Sequence, residues 1–277
     1  MNIFVIMALI ATLGTWFVTA LGAALVVFFT SPNPKSLNIM LGFSAGVMIY
    51  VSMIEIFVEA QDSLTLALGT KGGPWLTAGA FFAGMFVIAL IDKLIPSGEN
   101  PHEVKKVECF VDENGNEVCV VPKKDSRKKL LRTGLFTALA VGIHNFPEGL
   151  ATFISGMQDT SIAIPIAVAI AIHNIPEGVA VSVPVYFSTG SRKKAFLFSF
   201  LSGLSEPIGA IIGYTILLPF MNELIFGIVF AMVAGIMVFI SLDELLPSAR
   251  EYGEHHLSIY GLIAGMMIMA ISLLLFL

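Results

Sequence analysis

Eight apolar runs, each close to the roughly 20 residues that cross a bilayer as a helix, take up most of this chain and leave it few folds to choose from. They lie at about 3–29, 37–58, 75–95, 131–156, 161–186, 196–219, 222–246 and 259–277. Only 13% of the 277 residues are charged, against 56% hydrophobic; a soluble domain carries about twice that share of charge. In hydrocarbon every backbone N–H and C=O needs a partner inside the protein, and for runs of this length the helix supplies it. The expected fold is all-α: a polytopic membrane protein with eight transmembrane helices, residues 1–277 forming a single transmembrane domain. The first run lacks a basic flank and a small-residue cleavage site, so it reads as a mature helix and not as a signal peptide. It carries no charge, and its Gly14, Ala20, Gly22 and Ala23 suit close helix packing.

Basic residues collect in cytoplasmic loops. With the amino terminus outside, Lys35, Lys93, the cluster from Lys105 to Arg132, Arg192, Lys193, Lys194 and Arg250 all fall on the inner side, and only Lys71 falls outside. An even number of spans then puts both termini outside a plasma membrane, the inner membrane in a bacterium. The longest polar stretch, 97–130, is a cytoplasmic loop. Within it VECFVDENGNEVCVV (Val107 to Val121) has an Asn114-Gly115 turn between two β-type runs, which predicts a hairpin. Cys109 and Cys119 flank that turn; a reducing cytosol disfavours a disulfide, and with His102 and nearby acids they offer metal donors, though without CxxC spacing a plain hairpin is the favoured reading. The doublet His255-His256 reads as part of a solvated loop.

Two copies of one hexapeptide stand inside the apolar runs: HNFPEG from His144 to Gly149 and HNIPEG from His173 to Gly178. On a helix His144 and Glu148 share a face at i,i+4, with Asn145 and Glu148 at i,i+3; His173, Asn174 and Glu177 repeat the pattern. Imidazole, carboxylate and amide oxygen are ligands for a divalent transition metal. Pro147 and Pro176 each remove a backbone donor and displace the carbonyl four residues earlier, so both helices are expected to be interrupted where they face a polar cavity. The sixth run adds SGLSEP, with Glu206 near its centre, again before a proline. From 133 to 191 and from 195 to 249 there is no Lys or Arg to neutralise these acids. Carboxylates at that depth need a balancing cation or proton. His144, Asn145, Glu148, His173, Asn174, Glu177 and Glu206 are therefore the candidate metal residues.

The flanking runs repeat each other. AGVMIYVSMIEI (Ala45 to Ile56) aligns without gaps on AGIMVFISLDEL (Ala234 to Leu245), and FFAGMFVIAL (Phe81 to Leu90) on LIAGMMIMAI (Leu262 to Ile271). Each pair runs in opposite directions through the membrane, the inverted-repeat pattern of secondary transporters, giving a 3+2+3 arrangement. Glu55 and Glu244 are repeat-related; with Glu59 and Asp243 beside them they read as entrance and exit carboxylates for a cation. Met48 and Met237 lie deeper, where a thioether serves as soft ligand or core filler.

The paired HNxPEG motifs on adjacent spans, within eight apolar runs, make the chain resemble the ZIP (Zrt/Irt-like) family over nearly its whole length, and within it the broad-specificity bacterial ZupT-like branch. The resemblance implies a secondary transporter that takes up zinc and other divalent ions (iron, manganese, cobalt, cadmium) through a two-metal site between the fourth and fifth helices. It assigns one ion to His144, Glu148, His173 and Glu177, with Met48 nearby, and the other to Asn145, Glu148, Asn174, Glu177 and Glu206. The expected partners are divalent ions and the lipid bilayer, with a homodimer compatible and nucleic acid excluded; no prosthetic group and no enzymatic activity are expected. Where many eukaryotic members have HExxH on the fifth helix this chain has HNIPE, which implies wider metal tolerance. An intramembrane zinc metalloenzyme would show HExxH or an open metal position beside a substrate cleft, and a membrane metal sensor would carry a large soluble signalling domain; the sequence shows neither. No Walker A sequence implies nucleotide hydrolysis.

Overall fold

The computed structural model describes residues 3–24, 34–94, 109–111, 117–119, 138–139, 141–143, 145–154, 156, 160–220, 222–251 and 255–275. His102, His144 and most of the loop 97–130 lie outside these, as do the side chains of His173, Cys109, Cys119 and His255. Of that loop two strands are described, β1 (Cys109–Val111) and β2 (Glu117–Cys119), antiparallel with Cys109 opposite Cys119. They bracket the Asn114-Gly115 pair, as its turn chemistry requires.

The rest is helical. The helices are α1 (Ile3–Ala24), α2 (Pro34–Val51), α3 (Phe57–Leu94), α4 (the described residues between 138 and 156), α5 (Thr160–Thr189), α6 (Arg192–Gly203), α7 (Ser205–Ile212), α8 (Glu223–Ile240), α9 (Leu246–Glu251) and α10 (His255–Leu275). A π-helical turn at Ser52–Ile56 joins α2 to α3, another at Ser241–Leu245 joins α8 to α9, and a third, Gly213–Leu217, follows α7. Among the described residues Asn38–Lys93, Arg192–Ile216, Glu223–Leu245 and His256–Leu275 are long and apolar enough to cross a membrane.

Between the second and third apolar runs, 37–58 and 75–95, the chain is helical except at one turn. The helix continues to residue 68 and turns back at Gly69 (φ 79°, ψ 171°), a conformation open essentially only to glycine. Gly73 then lies so close to Thr65 that a Cβ would be 2.6 Å from its Cα. α3 is thus two limbs, 57–68 and 70–94. Hydropathy marks the length of helix that lipid can cover, and the helix itself extends past that length into polar sequence.

Large apolar side chains face outward while many small polar ones share the core. Leu66, Trp75, Phe86 and Leu275 point outward, while Thr12, Thr15, Thr19, Asn38, Ser44, Ser52, Ser182 and Ser241 are buried. Lipid tails reward no burial of apolar surface, so these helices associate through close packing and polar contacts. α1 packs on α5, α6 and α7; α2 packs on α10 and α3 on α8; α2 also meets α5. Glycines bring the partners together. A Cβ on Gly46 would lie 2.0 Å from the carbonyl oxygen of Leu262, and one on Gly235 would lie 2.0 Å from that of Phe81. Gly46 aligns with Gly235 and Leu262 with Phe81, so one contact is made twice. Gly265 against Phe43 and Gly84 against Met232, each at 2.1 Å, repeat the doubling. The first two π turns occupy the same aligned positions, and in each a serine hydroxyl donates to a methionine carbonyl: Ser52 to Met48 at 2.6 Å, Ser241 to Met237 at 2.7 Å.

Candidate metal site

The hexapeptide asparagines and glutamates meet Glu206 in the interior. Asn145 and Glu148 come from α4, Asn174 and Glu177 from α5, Glu206 from α7, and all five are fully buried. On α4 and α5 the i,i+3 spacing puts amide and carboxylate on one face.

Glu206 is placed by a break in the sixth apolar run. α6 ends at Gly203, the Leu204 N–H turns back to Leu201 O at 3.2 Å, and the Ser205 hydroxyl donates to Ser202 O at 2.9 Å. Pro207 supplies no N–H. Two helix-weakening residues four apart, Gly203 and Pro207, end one helix and begin the next. Glu206 falls in the first turn of α7, where the amino-terminal dipole favours a carboxylate. The interruption expected at Pro176 is absent, because α5 runs unbroken from Thr160 to Thr189. A single proline costs a helix about 3 kcal/mol, and packing of α5 against α1, α2 and α6 is enough to hold it together.

Close backbone packing sets the spacing of these elements. A Cβ on Gly149, the residue after Glu148, would lie 2.0 Å from the carbonyl oxygen of Glu206, and one on Gly209 would lie 2.2 Å from that of Phe146. α4 and α7 therefore touch beside the two acids. Likewise Gly178 sits under the Thr19 carbonyl at 2.1 Å and Gly22 under that of Ile175 at 2.3 Å, clamping α1 to α5. Trp16 Nε1 donates to Phe200 O at 3.0 Å and ties α1 to α6.

Glu206 accepts from four neutral donors. Asn174 Nδ2 lies 2.7 Å from Oε1, Asn145 Nδ2 and the Thr19 hydroxyl lie 3.5 Å from the same oxygen, and the Thr15 hydroxyl donates to Oε2. Glu148 and Glu177 are near enough for their charges to act on Glu206. Asn174 Nδ2 gives its second proton to Thr15 O at 3.2 Å, so both amide protons are used and the orientation of the amide is fixed. Its Oδ1 is buried with no hydrogen-bond partner among the described residues. Such an orphan acceptor costs about 1–3 kcal/mol. A cluster of carboxylates with an amide oxygen to spare is a set of hard donors suited to a divalent cation.

The other predicted residues stand apart from this cluster to differing degrees. Met48 is fully buried on α2, in the same apolar core as Ala151 of α4 and Ile170 of α5. Glu55 and Glu59 lie in and just after the first π turn, partly exposed. Asp243 is partly exposed and Glu244 buried in the second. The first π turn packs on α2, α3 and α8, the second on α2, α8 and α9. Thr15 and Thr19, in a run whose small residues point only to close packing, join the site as well. The signal was available: Thr12, Thr15 and Thr19 form a polar stripe at helical spacing in a run without charge.

Comparison with known proteins places the chain in a family. The family model described as ZIP Zinc transporter matches residues 1–273. The chain is 63% identical to the zinc transporter ZupT of Streptococcus mutans over 93% of each chain. It is 60% identical to the zinc transporter ZupT of Clostridium perfringens over 98% of this chain and 96% of that one, and 60% identical to that of Chlorobaculum parvum over 99% and 98%. These relatives are named as transporters, not as enzymes. The chain belongs to the ZIP family.

Proposed function

We propose that this protein is a secondary carrier moving Zn²⁺, and with it Fe²⁺ and other divalent ions such as manganese, cobalt and cadmium, across the plasma membrane into the cytoplasm. The observation that carries this reading is the meeting of three fully buried carboxylates, Glu148, Glu177 and Glu206, from segments (133–191 and 195–249) that hold no Lys or Arg to offset them. Charge of one sign at that depth calls for a mobile counter-charge. The relatives named zinc transporters support zinc as that charge.

In this reading eight helices stand in a 3+2+3 inverted repeat with both termini outside, and the duplicated glycine contacts and π turns support the repeat. One ion is held by His144, Glu148, His173 and Glu177 with Met48 nearby. The second is held by Asn145, Glu148, Asn174, Glu177 and Glu206, with Glu148 and Glu177 bridging the two. Asn174 Oδ1, without a hydrogen-bond partner among the described residues, supports its part as an oxygen ligand. Imidazole ligands suit zinc or iron, and the oxygen-only neighbour accepts harder ions. Glu55 and Glu59 at one end, with Asp243 and Glu244 at the other, draw the ion in and release it.

The test is zinc uptake into liposomes holding the purified full-length protein, wild type against Glu148→Ala. Saturable uptake that the substitution abolishes is the expected result, and competition by iron and manganese ranks the ions. Zinc binding without flux in the wild type would overturn the carrier reading in favour of a membrane sensor.

A further inference from the structure

We infer that Thr15 and Thr19 of α1 are positioning residues for the oxygen-rich half of the site, holding Glu206 and Asn174 in the orientation that presents their oxygens to an ion. The inference rests on the carrier reading above and adds to it a helix that carries none of the hexapeptide residues.

A threonine inside an apolar helix has a default partner, the carbonyl one turn back. Thr12 takes it, donating to Ala8 O at 2.9 Å, and Thr77 and Thr215 do the same with Gly73 and Ile211. Thr15 and Thr19 have such carbonyls in range, Thr12 O at 2.9 Å and Thr15 O at 3.4 Å. Both also reach Glu206, on the far side of the sequence. A hydroxyl has one proton to give, and a carboxylate is the stronger acceptor for it. Thr15 fixes two residues at once. Its hydroxyl holds Glu206 Oε2, while its carbonyl takes an Asn174 amide proton at 3.2 Å. With the other proton on Glu206 Oε1, the Asn174 amide can turn only by setting its oxygen against two acceptors. Thr15 thereby keeps Asn174 Oδ1 directed away from Glu206. α1 is held rigidly enough to do this by the Gly22 and Gly178 contacts with α5. Thr15 is also the one polar side chain among the described residues lining a cavity of about 430 Å³ between α1 and α5, otherwise walled by residues such as Ala8, Ala11, Val18 and Ala171.

The experiment compares wild type, Thr15→Val, Thr15→Ser, Thr19→Val and Glu148→Ala in liposomes, reading KM and maximal rate for zinc together with thermal unfolding of the purified proteins. Valine keeps the shape and removes the hydroxyl. Thr15→Val is expected to raise the KM for zinc about 10- to 100-fold, the usual range for a residue that orients a metal ligand, with the unfolding temperature unchanged. Thr15→Ser is expected to keep the wild-type KM. Thr19→Val removes the longer contact and is expected to raise KM by a smaller factor. A wild-type KM in both valine variants overturns the inference, and so does a Thr15→Ser as impaired as Thr15→Val, which would assign the effect to packing of the methyl group. Failure of the carrier reading looks different: the wild type would then bind zinc without any flux, whereas a Glu148→Ala that transports like wild type would overturn the assignment of the site.

Discussion

Gly149→Ala adds one methyl group at the place where α4 and α7 touch. The new Cβ would stand 2.0 Å from the carbonyl oxygen of Glu206 and 2.5 Å from its Cα. The obstacle is backbone, so no side chain can swing aside. Ordinary contact begins at 3.4 Å, which means the two helices must part by about 1.4 Å. The Asn145 amide, already 3.5 Å from Glu206 Oε1, would lose it. Overpacking of this kind costs about 1–3 kcal/mol of stability, and a shift of about 1 Å at a reacting or binding centre can cost about 100-fold in rate. The matched control lies two turns earlier on the same helix: among the described residues a Cβ on Gly142 would meet only Ser202 O, at 3.7 Å. Gly142→Ala should therefore fold normally and gain up to about 1 kcal/mol from helix propensity. Initial zinc uptake rates in liposomes, normalised to folded protein by gel filtration, separate the two. If Gly149→Ala transports as well as Gly142→Ala, the spacing of α4 and α7 does not set the geometry of the acids and the reasoning fails.

Two further predictions concern the scaffold. Gly46→Ala and Gly235→Ala press a methyl group on aligned carbonyls at the same 2.0 Å, so each should lower stability by about 1–3 kcal/mol and by similar amounts; thermal unfolding in detergent checks it, and a large effect from one beside none from the other refutes the equivalence of the two halves. Among the described residues Gly69→Ala meets nothing within 4 Å yet must hold φ 79°, ψ 171°, so its cost of about 1–3 kcal/mol is conformational; Gly14→Ala, equally open among the described residues but inside α1, should be neutral or stabilising in the same assay.

The acids of the site were legible in the sequence because charge in an apolar run has few innocent explanations. Glu148, Glu177 and Glu206 stand out by cost alone, and the structure gathers them. The repeat was legible too, since small residues that let backbones touch are hard to replace: the aligned Gly46 and Gly235, and Gly84 and Gly265, are the contact points. What the sequence concealed was set by neighbours. Pro176 looks like a breaker until α1, α2 and α6 are packed around α5, whereas the break at Leu204 needs Gly203 and Pro207 to be read together. Thr15 and Thr19 show in the sequence only as a polar stripe, because a threonine in a membrane helix can satisfy itself one turn back; three-dimensional contact shows that these two reach Glu206. The length of α3's first limb was hidden because residues 59–68 are too polar to register as a span and are helical all the same.

A π turn contains one residue more than the α-helical turn it replaces, and at 3.6 residues per turn that extra residue rotates everything beyond it by about 100°. Beyond Ile56 this rotation brings Ala60 and Leu64 against Gly227, and beyond Leu245 it sets the face on which Ala249 is buried. Removing one residue from either turn would leave each helix nearly as long as before, with its far half turned by about a quarter of a revolution and a different row of side chains facing the partner. The two insertions thus act as phase settings. Because they sit at aligned places, the halves can be rephased together but not singly without losing the match between them.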